Sequence, residues 1–392
     1  EADKLALEIL REIGNSNISQ IQIQFETEQI KQSFRKWKET TSTSPSNNHL
    51  GLWISMTYPT TNKEDAKVLN RLWTMHRELL LIPFQTGIPL KRWGKIVNIM
   101  IEKIAGQPFL HKLRVIQIME ADYNLTLKSV FGRQLLWHGE QHDAYHDAQG
   151  GSRPGRNTTD ISITQEVIYD KNRRTNTDHA SNENDAKACY DRMIVALMSL
   201  VNRARGMDKN WVAARARVLT EAQYHIKTTL GLSENYYTNS EESPTHGSGQ
   251  GAGDSSNQWG MLSSIILKIM HNKASKAVFR DPYVTDRIVE IANTAFVDDT
   301  SGYQNTLDKY AETQENIEQL INNLQTDVTT WDRLLFATGG LLELQKCFFY
   351  LTIWEFQNDG STRALTPDEM GVTLTINRPD GTSIKITQKD PN

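Results

Sequence analysis

Two adjacent carboxylates, Asp298 and Asp299, follow the short apolar run Ala295-Phe296-Val297 and precede the polar segment Thr300-Ser301-Gly302-Tyr303. Oxygen donors at the tip of a strand suit a hard divalent cation such as Mg²⁺, which commonly shares its carboxylates with substrate phosphates. An Asp-Asp pair also arises by chance, so its meaning depends on what accompanies it. Asp185 lies in Asn184-Asp185-Ala186-Lys187-Ala188-Cys189-Tyr190-Asp191-Arg192, where small residues and an aromatic separate it from a second Asp. Together the three acids are what a two-metal phosphoryl-transfer site requires, with carboxylates supplied from separate strands.

Basic residues with phosphate chemistry occur earlier. In His111-Lys112-Leu113-Arg114-Val115-Ile116-Gln117-Ile118-Met119 the alternation predicts a strand with Lys112 and Arg114 on one face. That face is either a solvated edge or a triphosphate clamp, since a guanidinium fork matches phosphate oxygens. Gly150 to Asp160 is a glycine-rich loop carrying Arg153 and Arg156 ahead of a helix expected from about Asp160 to Tyr169. A helix start is a natural anion site, but the loop lacks the Gly-Lys-Ser/Thr ending of a P-loop. His138, His142 and His146 share one face of an expected helix. Glu140 does not directly follow the first His, so the zinc-protease order fails and a polar helix face is the reading.

The positioning elements follow from periodicity. Helices are expected over 1–42, Asn62 to Leu81, Leu90 to Lys103 (after Pro89, with Trp93, Ile96, Ile99, Met100 and Ile104 as its buried stripe), Met193 to Ala204, Trp211 to Thr229, Trp259 to Met270, Tyr283 to Asn293, and Leu307 to Leu324 continuing through Trp331 to Phe336. Thr40 to Asn48 is a Ser/Thr/Pro break, and 233–258 reads as a flexible connector. Cys347 to Phe356 reads as strand, and a tail hairpin is expected around Pro379-Asp380-Gly381.

Bulk properties narrow the class. The 392 residues are 38% hydrophobic and 23% charged, with a net charge of −4, a globular composition that argues weakly against broad nucleic-acid binding, although local basic clusters can still serve. No run of about 18 apolar residues is present, so no membrane span is expected. Two cysteines, Cys189 and Cys347, cannot form a disulfide framework and fit a reducing compartment. The chain begins at Glu1 with no apolar signal core, so the expectation is an intracellular protein, nuclear or cytoplasmic, and a piece of a longer chain.

In order along the chain, these pieces resemble a reverse transcriptase of the non-LTR retrotransposon and group II intron kind, from roughly residue 90 to 357. Arg114-Val115-Ile116 resembles that family's Arg-Pro-Ile strand, and Gly151 to Asp160 its Arg-Pro-Gly-Arg-Ser-Thr loop. Asp185 to Asp191 is similar to its Asp-x-x-x-Ala-Phe-Asp motif, Gln250-Gly251 to its Gln-Gly, and Phe296 to Asp299 to its Tyr/Phe-x-Asp-Asp. Gly339-Gly340 with Leu344, Lys346 and Cys347 is similar to its Gly-x-x-x-Asn-x-x-Lys region. The chain departs from the pattern in the polar residues His179 to Asn184, in Gly251-Ala252-Gly253-Asp254-Ser255, and in Val115 where Pro is common.

The resemblance implies an α+β palm-and-fingers polymerase whose antiparallel palm sheet, backed by helices, carries Asp185 and Asp298-Asp299 on neighbouring strands. It implies a helical extension over 1–88, fingers over 89–178, a palm over 179–357 with 233–258 inserted, and a tail over 358–392 leading toward a thumb beyond this sequence. Asp185, Asp298 and Asp299 would hold two Mg²⁺ ions, with Mn²⁺ as an alternative, and Asp298 more directly than Asp299. Tyr190 would gate the sugar 2′ position, and Lys112 and Arg114 would bind the triphosphate. Ala186, Gln250 and Gly251 would line the nucleotide pocket, Arg153 and Arg156 would contact nucleic acid, and Lys346 would protonate the leaving pyrophosphate. The implied partners are an RNA template, a DNA primer and deoxynucleoside triphosphates. Three other readings stay open: a degenerate polymerase fold that only holds RNA, an RNA-dependent RNA polymerase, and a helical scaffold whose Asp pair is accidental. In the last case Asp185 and Asp298 would lie far apart.

Overall fold

A computed structural model describes the chain except for residues 1, 39, 41–43, 110–111, 241–246, 282, 285–286, 307–310, 379–380 and 391–392. His111, the start of the expected 307–324 helix, and the Pro379-Asp380 turn lie outside the described residues. The fold mixes helices with largely antiparallel sheets, an α+β arrangement.

The chain opens with helices α1 (Ala2–Asn15), α2 (Thr27–Arg35), α3 (Leu50–Ser55) and α4 (Lys63–Thr86). Strands β1 (Lys95–Glu102) and β2 (Leu113–Ile118) precede α5 (Ala121–Thr126), a π-helical stretch over Leu127–Gln134, and α6 (Leu135–Gln141). Then come α7 (Thr158–Arg174), β3 (His179–Asp185), α8 (Cys189–Arg192), α9 (Val195–Ala204) and α10 (Lys209–Thr220). Strands β4 (Gln223–Thr228) and β5 (Gly231–Leu232) lead to α11 (Ser255–Lys273). Next are β6 (Ala277–Arg280), β7 (Ile288–Ile291), β8 (Asn293–Phe296), β9 (Asp299–Asn305) and α12 (Thr313–Ala337). The end holds β10 (Phe348–Thr352), β11 (Trp354–Phe356), β12 (Thr362–Ala364), α13 (Pro367–Met370), β13 (Thr373–Asn377) and β14 (Ser383–Thr387).

These elements cluster into two compact units, neither one continuous. The first comprises Glu1–Asn15, Tyr145–Cys189 and Gly260–Asn392; the second comprises Ser16–Ala144 and Tyr190–Trp259. This division differs from the expected segments ending at 88, 178 and 357, because elements distant in sequence pack together.

The first unit is built on a sheet ordered β10-β3-β9-β8, antiparallel throughout. On it Ile168, Ala277 and Tyr303 form a buried cluster joined by Tyr169, Phe279 and Ile291. Helix α12 buries Leu320, Leu324, Val328 and Trp331, and its Gln325 side chain bonds both backbone groups of Thr375 on β13 (2.8 and 2.6 Å). Strands β13 and β14 pair antiparallel, as the expected tail hairpin requires.

Asp327, also on α12, is 8% exposed and accepts the Ser275 N–H (3.2 Å). Burial pushes its carboxyl up to about 7. A carboxyl raised above its unfolded value binds its proton more tightly when folded, so stability falls as pH climbs from the usual carboxylate range toward 7. Asp327→Asn keeps an acceptor for Ser275 and removes the charge. It should therefore stabilise the protein at pH 8 by about 1–3 kcal/mol, with little effect at pH 4.5, as thermal melts at the two pH values will show.

The second unit carries a sheet ordered β2-β1-β4-β5, in which β1 is antiparallel to β2 and parallel to β4. Its core stacks Phe84 on Trp211 (centroids 4.4 Å) and Trp93 on Tyr123 (4.9 Å). Among the described residues no helix is long and apolar enough to cross a membrane.

Several expected elements take another form. Residues 90–103 are not a helix: a short turn over Lys91–Gly94 leads into β1. The strand pairs along both edges, with β2 and β4, and β-branched Ile96, Val97 and Ile99 favour it. The helix expected to Thr229 ends at Thr220, and 223–227 pairs with β1. Where a helix was expected from Tyr283 to Asn293, Ile288–Ile291 is strand β7 paired with β6, and the Asp281 carboxylate accepts the Tyr283 and Val284 N–H groups (2.9 and 3.2 Å) ahead of it. Residues 16–26 between α1 and α2 are not helical. The connector expected over 233–258 ends earlier, as α11 starts at Ser255. Helix α6 stops at Gln141, so the three histidines share no helix face. His138 and His142 lie ring against tilted ring (centroids 4.4 Å) in the second unit, while His146, in the first, faces His271 and is pushed down to about 4 by burial and that neighbour.

Candidate active site

The register of two strands positions the acids. Strand β3 runs antiparallel to β9 with Asp185 opposite Asp299, Asn184 opposite Thr300 and Glu183 opposite Ser301. Directly opposed residues on one sheet face bring their Cβ atoms to within about 4.5–5.5 Å. Strand β9 also pairs with β8, Phe296 opposite Asp299, which leaves Val297-Asp298 as the two-residue turn of a tight hairpin. The Ala186 N–H reaches the Asp298 carbonyl (3.4 Å), tying the two acidic segments together.

Much of the polar sequence of β3 is bonded within the fold, although Asn184 Oδ1 is buried without a hydrogen-bond partner among the described residues. Ser181 bonds Tyr169 Oη (3.0 Å), Glu183 accepts the Ser301 hydroxyl, and Gln165 donates to Ser301 (2.8 Å). On the other face Asn182 lies over Gly302, where a Cβ would come within 2.3 Å of its Oδ1. A buried polar strand is stable when its groups are bonded in this way.

The turn is strained. Val297 has φ 59°, the left-handed region that glycine takes in such hairpins. For a β-branched residue this costs about 1–3 kcal/mol and persists only where the surroundings impose it. Here Gly151 packs directly against it: a Cβ at 151 would stand 2.2 Å from the Val297 nitrogen.

A loop crossing the Asp185 segment supplies the cation. Glu343 N–H donates to the Asp185 carbonyl and Lys187 N–H to the Leu341 carbonyl (both 2.8 Å). The turn Leu344–Lys346 then brings Lys346 Nζ to 2.6 Å from Asp185 Oδ2. That hydrogen bond, ahead of the charges of Asp185, Asp298 and Asp299, raises the Lys346 ammonium above its usual range. Burial first, then the neighbouring acids, pushes the Asp298 and Asp299 carboxyls up, and Lys346 partly offsets the effect. Glu183 is raised by burial and by Asp299. Burial also lifts the Cys347 thiol to about 11, so it stays a neutral core group.

Among the described residues no three His, Cys, Asp or Glu side chains already surround a metal-sized centre. The donor set nevertheless fits a hard divalent cation. Three carboxylates repel one another at one strand end, and the charge that compensates them is an ammonium hydrogen-bonded to Asp185.

The other expected residues fall in two places. Arg153 donates to the His146 and Gln149 carbonyls (2.9 and 3.1 Å) and lies over the Tyr145 ring, so it folds its own loop. Arg156 pairs with Asp147 (2.9 Å). Both belong to the first unit with Asp185, Ala186, Asp298, Asp299 and Lys346, whereas Lys112, Arg114, Tyr190, Gln250 and Gly251 belong to the second.

Within the second unit the Gln250 loop is laid on β2. Gln117 N–H donates to the Gln250 carbonyl (2.7 Å), Gln250 N–H to Asp191 Oδ1 (3.2 Å), and Asn124 Nδ2 to the Gly251 carbonyl (3.1 Å). Gly251 has φ 120° and approaches so closely that a Cβ would sit 2.4 Å from the Gln117 carbonyl. The Tyr190 carbonyl accepts Ser248 N–H (2.8 Å). Arg114 is exposed on β2, and Lys112 bonds Gln107 (2.6 Å) over the Phe109 ring.

Three participants were not singled out as site residues from the sequence. Glu183 shares the Asp185 face by strand alternation and was open to that argument. Asp191 closes the first acidic motif and anchors the Gln250 loop. Gln149 carried no sequence signal. The chain matches no protein-family model, and no curated protein sequence matches it.

Proposed function

We propose that the protein is an RNA-directed DNA polymerase, transferring deoxynucleoside monophosphates to a primer 3′-hydroxyl. The observation that carries this reading is the β3–β9 register, which sets Asp185 opposite Asp299 with Asp298 in the adjoining turn and Lys346 against Asp185. Asp185, Asp298 and Asp299 would hold Mg²⁺, which when bound would favour deprotonation of the attacking hydroxyl and offset charge on the triphosphate. Lys346, with its ammonium raised and 65% of its side chain exposed, keeps a proton that it can deliver to the leaving pyrophosphate. Tyr190, four residues beyond Ala186, is proposed to exclude a ribose 2′-hydroxyl; Gln250 and Gly251, held by Gln117, Asn124 and Asp191, form a fixed rather than flexible loop for the nucleotide.

Primer extension on an RNA template with Mg²⁺ and either deoxy- or ribonucleoside triphosphates tests the proposal. Extension is expected with the deoxy substrates, and Tyr190→Ala should raise ribonucleotide use by about 10–100-fold, the worth of one steric contact of about 1–3 kcal/mol. RNA binding without extension would instead identify a non-catalytic RNA-holding module. Preferred use of ribonucleotides by the parent protein would identify an RNA polymerase.

A further inference from the structure

We infer that Gln149 is the positioning residue of the acidic hairpin: it holds Val297 in the left-handed conformation and thereby presents Asp298 and Asp299 to a cation. The inference rests on the reading that this hairpin takes up Mg²⁺. Gln149 is fully buried. Its Oε1 accepts the N–H groups of Val297 (3.1 Å) and Gly151 (2.8 Å), and its Nε2 donates to the Val297 carbonyl (3.2 Å) and to Ser263 Oγ (2.9 Å). One side-chain amide thus bonds both backbone groups of the strained residue while Ser263 fixes the amide's own orientation.

The backbone beside it prepares the grip. Gly150 N–H donates to the Ala295 carbonyl (2.8 Å) and Ala295 N–H to the Ala148 carbonyl (2.7 Å), so the segment pairs with β8 up to the turn. Past that point the backbone ladder ends, and the Gln149 side chain continues it for one residue. Gly151 leaves the room this requires. A glutamine whose four hydrogen-bond positions are all spent around one turn does not simply fill space.

Two measurements on the whole protein decide the matter: Mn²⁺ binding followed by electron paramagnetic resonance without nucleotide or primer, and amide hydrogen exchange over 293–299. Gln149→Ala should weaken Mn²⁺ binding by about 10–100-fold, as loss of a partner that orients metal ligands typically does, and should speed exchange in the hairpin. Val297→Gly alone should change little. Combined with Gln149→Ala, it should restore most of the binding, because glycine takes a positive φ unaided. Should Gln149→Ala fail to fold, Ser263→Ala loosens the same amide and should weaken binding by roughly threefold, again reversed by Val297→Gly. A folded Gln149→Ala protein with parental binding and exchange overturns the inference, as does a loss that Val297→Gly fails to reverse. A parent protein that takes up no Mn²⁺ overturns the reading of the site instead, and hydrogen exchange then decides alone whether Gln149 holds the turn.

Discussion

Asp298→Asn should lower nucleotide incorporation by at least about a thousandfold, equivalent to about 4 kcal/mol of transition-state stabilisation, while raising the stability of the metal-free protein. Asparagine keeps the size of the side chain in the hairpin turn and removes the charge that Asp299 and Asp185 oppose. Burial and those neighbours raise the Asp298 carboxyl above its usual range. Its ionised form therefore destabilises the folded state, and the stability lost as pH rises through the carboxylate range returns in acid. At pH 7.5 in metal-free buffer the variant should melt above the parent, and at pH 4 the difference should shrink. Mg²⁺ should stabilise the parent by mass action and the variant much less. Incorporation retained by a well-folded Asp298→Asn protein would sink the proposed chemistry.

Asp254→Ala should destabilise the protein by about 3–5 kcal/mol, the cost of leaving one member of a buried ion pair unpaired. Asp254 is fully buried and accepts Arg215 Nε at 2.6 Å, and the guanidinium lies against the Phe131 ring. Without the carboxylate that charge has no described partner acid. Replacing both residues, Arg215→Met with Asp254→Leu, should recover most of the loss, since apolar side chains of similar volume fill such a site without a desolvation penalty. Urea unfolding of the two proteins beside the parent measures the gap. Asp254 follows the glycine loop directly, so the single variant should also loosen the Gly249–Gly253 backbone, seen as faster hydrogen exchange there. A near-parental midpoint for Asp254→Ala would show that water reaches Arg215.

Legibility in the sequence followed the locality of the interactions. Helix α4 and the β13–β14 hairpin were plain, because their apolar spacing is set by neighbours a few residues away. The acid pair at a strand tip was visible for the same reason, and the resemblance drew Asp185 to it. What the pattern hid were pairings over long separations. Strand β1 lies between β2 and the distant β4, and its short apolar run has a density that a helix also shows. Strand β3 departs from the apolar strand that the resemblance leads one to expect, since His179-Ala180-Ser181-Asn182-Glu183-Asn184 is polar; its stability comes from Tyr169, Ser301 and Gly302, which no local pattern reveals. Gln149 was invisible because a glutamine that grips a distant backbone looks like any other glutamine.

The packing of α1 sets a schedule for synthesis. Helix α1 docks on α12, and its Glu8 and Glu12 pair with Lys273 and Lys268 of α11. Nearly 300 residues separate Asn15 from Thr313, which at translation rates of about 5–20 residues per second is roughly 15–60 s. Through that interval the apolar stripe Leu5, Ile9 and Ile13, buried in the finished fold, waits for the α12 face on which α1 docks. The nascent chain must therefore carry an amphipathic helix that lacks its α12 partner while the intervening residues are made, a natural place for a chaperone to bind.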